Sequence, residues 1–494
     1  MIYFFDLSSG VEVRRIQAPF APAHLRFDPA ERKLAICVDS RRDLLVLDAA
    51  SGTVIRSFDA GPTGCAWSYD GSLLASTCFD SQVRLWDIGS GLPRATLKGH
   101  TAPAMTVVGS RTSDLLASSG WDGKTRFWDT VLEEQLFSLP GALIWFSPPS
   151  PDDRRLGFHV ADQHAGIWEL APACECKRWR AGGIGCASFD ASGHVLATGG
   201  PQGIAFWDVE RRRLLEEVPT GECWAMGWAA DGKSLFSAAA RGVERWTIEF
   251  DPVAHRLLLG TAESLWRERV TLAGLSPSGY AVVGGQGTES NLVVLDLRHP
   301  DKPRIVAALA QEGVVSMSQD GKRFVMGRWH GRDVTVWNVA TGQPEKVLPA
   351  AEPARGEFSP DGQYLMVGSS KDYQVFKTDS WERVFRLPRE SVEGGTGAIQ
   401  FSPDNSLVAV QLEQLGHIHL LATGSWQELA AIEEGSPLCF SADGTKLAVY
   451  SAEAKLLMIW DLRQVRRQLA AIRLDWDAPP LPPWKEARVL AAPQ

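Results

Sequence analysis

From Gly64 to Cys78 the chain reads GCAWSYDGSLLASTC: a short apolar run, a polar turn centred on Asp70-Gly71, and a second apolar run. The same figure returns as GEFSPDGQYLMVGSS at 356–370 and as LCFSADGTKLAVYSA at 438–452. Two apolar runs of strand length flanking an Asp-Gly pair predict a tight hairpin, because Asp-Gly adopts the backbone conformations that such a turn requires. Runs this continuously apolar imply strands covered on both faces. The stretch GWAADGKS, Gly227 to Ser234, also fits the phosphate-loop pattern G-x-x-x-x-G-K-[ST]. That pattern holds a phosphate only where it opens a helix; here an apolar run, SLFSAAA, follows, so the stretch reads as one more hairpin.

A further run follows each hairpin and ends on an aromatic residue or leucine: VRLWD at 83–87, TRFWD at 125–129, AGIWE at 165–169, IAFWD at 204–208, VERWT at 243–247, VTVWN at 334–338 and LMIWD at 457–461. Weaker copies are IYFFD at 2–6, LLVLD at 44–48, LVVLD at 292–296, YQVFK at 373–377 and HIHLL at 417–421. Successive anchors, Phe5, Leu47, Trp86, Trp128, Trp168, Trp207, Trp246, Leu295, Trp337, Phe376, Leu420 and Trp460, lie 39 to 49 residues apart. Two or three hairpin-linked runs within each interval predict four short strands per unit.

This period resembles that of the WD40 family, whose propeller blades have four strands. The fullest copy has Gly99-His100, then Ser118, then Asp122, then Trp128-Asp129. The resemblance covers residues 1–462 and implies an all-β chain of tandem WD40-type β-propellers, about twelve four-stranded units with the first incomplete. It further implies that His100, Ser118, Asp122 and Trp128 form a structural hydrogen-bond network within their blade. Ser118, His100 and Asp122 have the residue types of a hydrolase triad, but their order and spacing are those of the blade.

Twelve anchors exceed the 4–8 blades of one ring, so two propellers are expected. The longest interval, between Trp246 and Leu295, holds EFDPVAHRLLLGTAESLWRE and places the junction near 250–265, giving propellers at 1–255 and 256–462 and a tail at 463–494. Counting seven blades back from the C-terminus places it near residue 171 instead. The chain enters directly on a third strand, Ile2 to Leu7, followed by a fourth at Val11 to Ile16, while the last blade has three strands and lacks an outer one. The N-terminus could donate that outer strand, yet it brings a surplus strand as well, so the chain is expected to be the C-terminal portion of a longer design.

In the tail, Leu462, Val465, Leu469 and Ile472 recur at helical spacing, and Ala478-Pro479-Pro480 would stop a short helix packed on the last blade. The segment DLRQVRRQLAAIRLDWDAPPLPP looks like the end of large bacterial WD40 proteins in which a serine/threonine protein kinase domain precedes the propellers. No H-R-D, D-F-G or A-P-E sequence is present, so the resemblance implies an origin and not a kinase activity.

Composition narrows the function. A net charge of -9 and the lack of any long Lys/Arg run argue against nucleic acid as a partner, and no apolar stretch approaches about 18 residues, so no membrane insertion by this chain is expected. Most of the eight cysteines sit inside apolar runs and read as buried reduced thiols, in keeping with a cytoplasmic setting. His159, His164, Cys174 and Cys176 match no zinc pattern, His417 and His419 read as a surface pair on a strand, and the glycines at 284–287 and 393–397 read as loops. The expected function is a noncatalytic scaffold binding protein or peptide partners in bacterial signalling, with no catalytic, metal or cofactor site. The rival is a propeller enzyme, hydrolase or oxidoreductase, with its site in the central channel. Innermost runs such as CAWS, CASF and AMGW are too apolar or small to favour it.

Overall fold

The computed structural model describes the chain apart from residue 7 and residues 18–21, 39–42, 144–148, 151, 161–163, 170–174, 230, 285–290, 309–312, 390–394, 413–416, 472–474, 476–480 and 482–494. The hairpins form where the sequence places them, and their turns satisfy themselves. Ser68 Oγ donates to Asp70 Oδ1 at 2.7 Å and accepts the amide of Leu73 at 2.9 Å, while Asp70 Oδ1 accepts the amide of Ser72 at 3.0 Å. The same Ser-to-Asp bond recurs at Ser318–Asp320, Ser359–Asp361, Ser402–Asp404 and Ser441–Asp443 at 2.6–2.7 Å. Gly71 takes a φ of +68° in this turn, a conformation that costs glycine little and other residues more.

Behind the turns, six of the seven recurrent tryptophans divide into two kinds. Trp86, Trp128, Trp207 and Trp246 each donate the indole N–H to a hydroxyl on the adjacent strand, at Ser76, Ser118, Thr198 and Ser237, over 2.8–2.9 Å. In each pairing the hydroxyl lies two residues beyond the tryptophan's cross-strand partner, for example Leu116 opposite Trp128 and then Ser118. The corresponding positions opposite Trp337 and Trp460 are Met326 and Val449. Those two indole N–H groups are buried without a partner, and Trp337 instead stacks on Phe324 at 5.9 Å. The first kind holds its blade by packing plus a hydrogen bond, the second by packing alone.

Twelve sheets are present among the described residues, and the chain divides into compact units at Met1–Ala173 and Cys174–Gln494. The first unit has a two-stranded sheet, Ile2–Phe5 with Glu12–Ile16, then three four-stranded sheets, then a three-stranded one ending at His164–Glu169. Ile2 and Ile16 join the apolar cluster of Leu34, Ile36 and Leu47, which ties the opening hairpin to the next sheet.

The second unit has seven sheets in a closed ring, the innermost strand of the last, Ser436–Phe440, lying against that of the first, Cys186–Phe189. Its closure corrects two expectations. The outer strand of the last sheet is Cys176–Arg180, which pairs antiparallel with Leu456–Asp461 from Cys176 opposite Trp460 to Arg180 opposite Leu456. The missing strand therefore comes from mid-chain and not from the N-terminus. The boundary expected at 255/256 falls inside the ring, and the placement near residue 171 is the one the backbone follows.

Residues 249–268 are not a junction. The strand Gly242–Asp251 has 10 residues where its neighbours have 6; Arg256–Leu259 pairs with its far half and Glu263–Trp266 with its near half. The long interval is thus an extra hairpin on the second sheet, fastened to the first by His255 Nδ1 at 2.6 Å from Asp208 Oδ2. As expected, the tail begins with a helix, Leu462–Ala471, whose Leu462 and Val465 pack into the cluster of Leu447 and Trp460.

Trp179 is the anchor of the closing strand: it is 1% exposed and its ring lies 6.1 Å from that of Trp207 in the first sheet. Trp179→Ala is expected to destabilise the second unit by about 3–5 kcal/mol, read as a lower denaturant midpoint with faster amide exchange along Leu456–Asp461. An unchanged midpoint would contradict the closing role.

Candidate functional site

The four residues nominated from the sequence meet in one network. Trp128 Nε1 donates to Ser118 Oγ at 2.9 Å, Ser118 Oγ lies 2.8 Å from His100 Nε2, and His100 Nδ1 lies 3.0 Å from Asp122 Oδ2. With the indole donating to the hydroxyl, the serine O–H is free to donate to Nε2, and the Nδ1–H donates to the carboxylate. Burial pulls the imidazole below its ordinary value, against the opposing pull of Asp122, so it serves as a neutral relay. Arg126 Nη2, 3.1 Å from Asp122 Oδ2, supplies the balancing cation. The geometry is unsuited to acyl transfer: Ser118 is fully buried and its oxygen already accepts from the tryptophan, so no substrate carbonyl can reach it.

The phosphate-loop lookalike is likewise committed elsewhere. Asp231 Oδ1 accepts the amides of Lys233 and Ser234 at 2.8 and 2.9 Å, and a strand, Ser234–Ala239, follows. A carboxylate already sits where an anion would have to bind.

Among the described residues no group of three or more His, Cys, Asp or Glu is placed to hold a metal ion. His159 and His164 lie on one hairpin of the first unit, Cys176 begins the closing strand of the second, and Cys174 lies outside the described residues. His419 Nδ1 is 3.0 Å from Glu428 Oε1, while His417 is exposed. Of the glycine-rich stretches, residues 285–287 and 393–394 lie outside the described residues.

One feature of the first unit was missed from the sequence. Phe79 and Trp121 each follow the second strand of their sheet, are 63% and 67% exposed, and lie edge to face with centroids 6.4 Å apart. Their signal was available: they are 42 residues apart, the interval that separates Trp86 from Trp128, and each precedes an aspartate. Both turns therefore emerge on one edge of adjacent sheets, and two large apolar rings stand in water there. Asp80 and Arg84 pair beside them. Elsewhere in this unit a cavity of about 450 Å³ is lined by Arg26, Asp28, Trp67, Ser110 and Arg111, among others.

In the second unit the innermost strands surround the ring's axis, and the strand Ala354–Phe358 places charge there. Arg355 and Glu357 alternate with buried Ala354, Gly356 and Phe358, with Arg355 Nη2 3.9 Å from Glu357 Oε2. Burial pushes the Glu357 carboxyl up to about 6, with Arg355 and Ser316 opposing. In sequence the run GEFS, 356–359, is otherwise apolar or small like the other innermost runs, which hides this pair.

Comparison with known proteins bears on the first unit most directly. The family model "WD domain, G-beta repeat" matches residues 52–87 and 91–129, the second match spanning the whole His100 network. Transducin beta-like protein 3 of Bos taurus is 29% identical over 234 residues, 44% of this chain and 28% of that protein. Small ribosomal subunit protein RACK1 of Caenorhabditis elegans is 22% identical over 185 residues, 35% of this chain and 45% of that protein. The chain thus spans less than half the length of these curated relatives. Among solved structures, the beta-propeller domain of Myceliophteria thermophila Cps50 (Swd1) shares 15% identity at a TM-score of 0.43, over 58% of this chain and 99% of that one. Residues 52–87 and 91–129 are thus matched as WD40 repeats, and the four-stranded sheet that these repeats form recurs in both units, the architecture of tandem β-propellers.

Proposed function

We propose that this protein is a noncatalytic scaffold that binds other proteins, and that the Phe79–Trp121 pair is a principal contact. The carrying observation is the exposure of two adjacent aromatic rings at the repeat distance on a rigid frame. Aromatic rings gain more than other side chains from burial against a partner and lose little rotamer freedom in doing so. Turns between strands can carry such groups without disturbing the sheets that hold them. The likeness to RACK1 and transducin beta-like protein 3, both WD40 relatives, supports an interaction role. The tail's similarity to the ends of bacterial WD40 serine/threonine kinases supports a docking role in kinase signalling. The seven described cysteines are free thiols, which supports a cytoplasmic setting.

The test is affinity capture from the native cell with wild-type protein and with a Phe79→Ala/Trp121→Ala variant. Proteins retained by the wild type should be lost from the variant, with no change in unfolding temperature, because both rings are already in water. Identical captured sets would contradict the reading.

Glu357 favours a second reading, a channel enzyme, because a carboxyl held near neutrality is a usable proton donor. The scaffold reading treats it as a tolerated cost. A carboxyl raised in the folded state adds stability at acid pH, and that stability is lost as pH rises from the unfolded value, near 4.5, through about 6. Glu357→Gln should therefore stabilise the protein relative to wild type by on the order of 1 kcal/mol above pH 7 and by nothing near pH 4. The gain is modest because the Glu357 side chain keeps 25% of its surface exposed. Denaturant melts at the two pH values measure this; a pH-independent difference would overturn the assignment.

A further inference from the structure

Three sulfur-bearing residues converge on one glycine in the second unit. Cys186 stands directly opposite Gly199 in the pairing of Cys186–Phe189 with Val195–Gly200. Cys223 opens the innermost strand of the next sheet, Cys223–Trp228, and Met226 lies on the same strand. Gly199 has no Cβ, and the point one would occupy is ringed by Cys186 Sγ at 2.7 Å, the Met226 terminal methyl at 2.8 Å and Cys223 Sγ at 2.9 Å. The two thiol sulfurs are therefore no further apart than those distances combined. An ion held linearly between two thiolates needs them about 4.6 Å apart, twice a metal–sulfur bond of about 2.3 Å, which lies inside that limit.

The surroundings favour soft chemistry. Cys223 belongs to the apolar cluster of Val195, Ala197, Phe206 and Leu235, with Cys186 and Met226 packed against it. The thiols now spend their weak donors on carbonyls, Cys186 on Cys223 O at 3.7 Å and Cys223 on Ala225 O at 3.6 Å. With no third His, Cys, Asp or Glu placed to complete a metal group among the described residues, zinc would lack its usual four ligands. Thiolate and thioether donors select Cu(I), and a monovalent d¹⁰ ion is satisfied by two sulfurs.

We propose that Cys186 and Cys223, with the Met226 thioether as an auxiliary donor, form a binding site for a monovalent thiophilic metal ion, Cu(I) being the biological member of that class. On binding, each thiol gives its proton to solvent as its sulfur bonds the metal, and no electron is transferred. The neighbouring Cys223 thiol and then burial push the Cys186 thiol well above its ordinary value, so Cys186 keeps its proton until a cation displaces it. Cys186 is half-buried, which leaves an approach. Cys223 is buried at 4% exposure, so access runs by way of Cys186; Cys37 and Cys65, which also lie close together in the first unit, are both buried, at 1% and 3%.

The test is anaerobic competition between the reduced full-length protein and a chromogenic Cu(I) chelator. Wild type should withdraw one equivalent of Cu(I). Cys186→Ser and Cys223→Ser should each lose at least tenfold in affinity, Met226→Leu several-fold, and Cys439→Ser and Cys37→Ala/Cys65→Ala nothing. Should the serine variants unfold, alkylation of wild type mapped by mass spectrometry decides: one equivalent of Ag(I) should protect Cys186 and Cys223 together. Uptake by Cys186→Ser/Cys223→Ser equal to wild type would overturn the proposal, as would no uptake by the folded wild type, or alkylation of both thiols unaffected by Ag(I).

Discussion

The ladder between Cys176–Arg180 and Leu456–Asp461 is the constraint on which the second unit depends. Each of its other six sheets is built from consecutive strands, so each could form from local contacts alone. The seventh takes its outer strand from nearly 280 residues upstream. That long-range pairing joins the two ends of the ring and covers an edge that would otherwise present unpaired backbone groups to other chains. Trp179, buried and close to Trp207, gives the short strand an apolar anchor in addition to its ladder.

The same pairing explains what could and could not be read from the chain. The hairpins at Asp70-Gly71, Asp361-Gly362 and Asp443-Gly444 were legible because turn chemistry and strand pattern are both local. The boundary was not. Trp168 and Trp207 lie 39 residues apart, an ordinary interval. The strand that would have completed the sheet ending at Glu169 is present at its usual place in sequence, but it pairs with the last sheet instead. Linear period is preserved while connectivity changes. The hairpin at 249–268 did the reverse: it lengthened an interval without marking any boundary.

The His100 network was legible because four polar types at fixed spacing serve one blade, and its burial explains why those types are present without implying chemistry. Phe79 and Trp121 were harder to see, since an exposed aromatic after a strand resembles a core residue until the structure shows which side it faces. The Cys186–Cys223 pair was invisible in sequence, because 37 residues separate the two and only the stacking of adjacent sheets over a glycine brings them together. Repetition thus disclosed the frame, while the features that distinguish this chain lie where one repeat meets the next.

The central claim, that the second propeller is the ring from residue 174 to the tail and closes through Cys176–Arg180, is most directly tested by producing residues 174–494 and residues 256–494 separately. The account predicts that 174–494 is monomeric and unfolds in a single cooperative transition, whereas 256–494, lacking the closing strand, the first sheet and most of the second, is aggregated or lacks a transition. A monomeric 256–494 that unfolds cooperatively, with 174–494 no more stable, would contradict it.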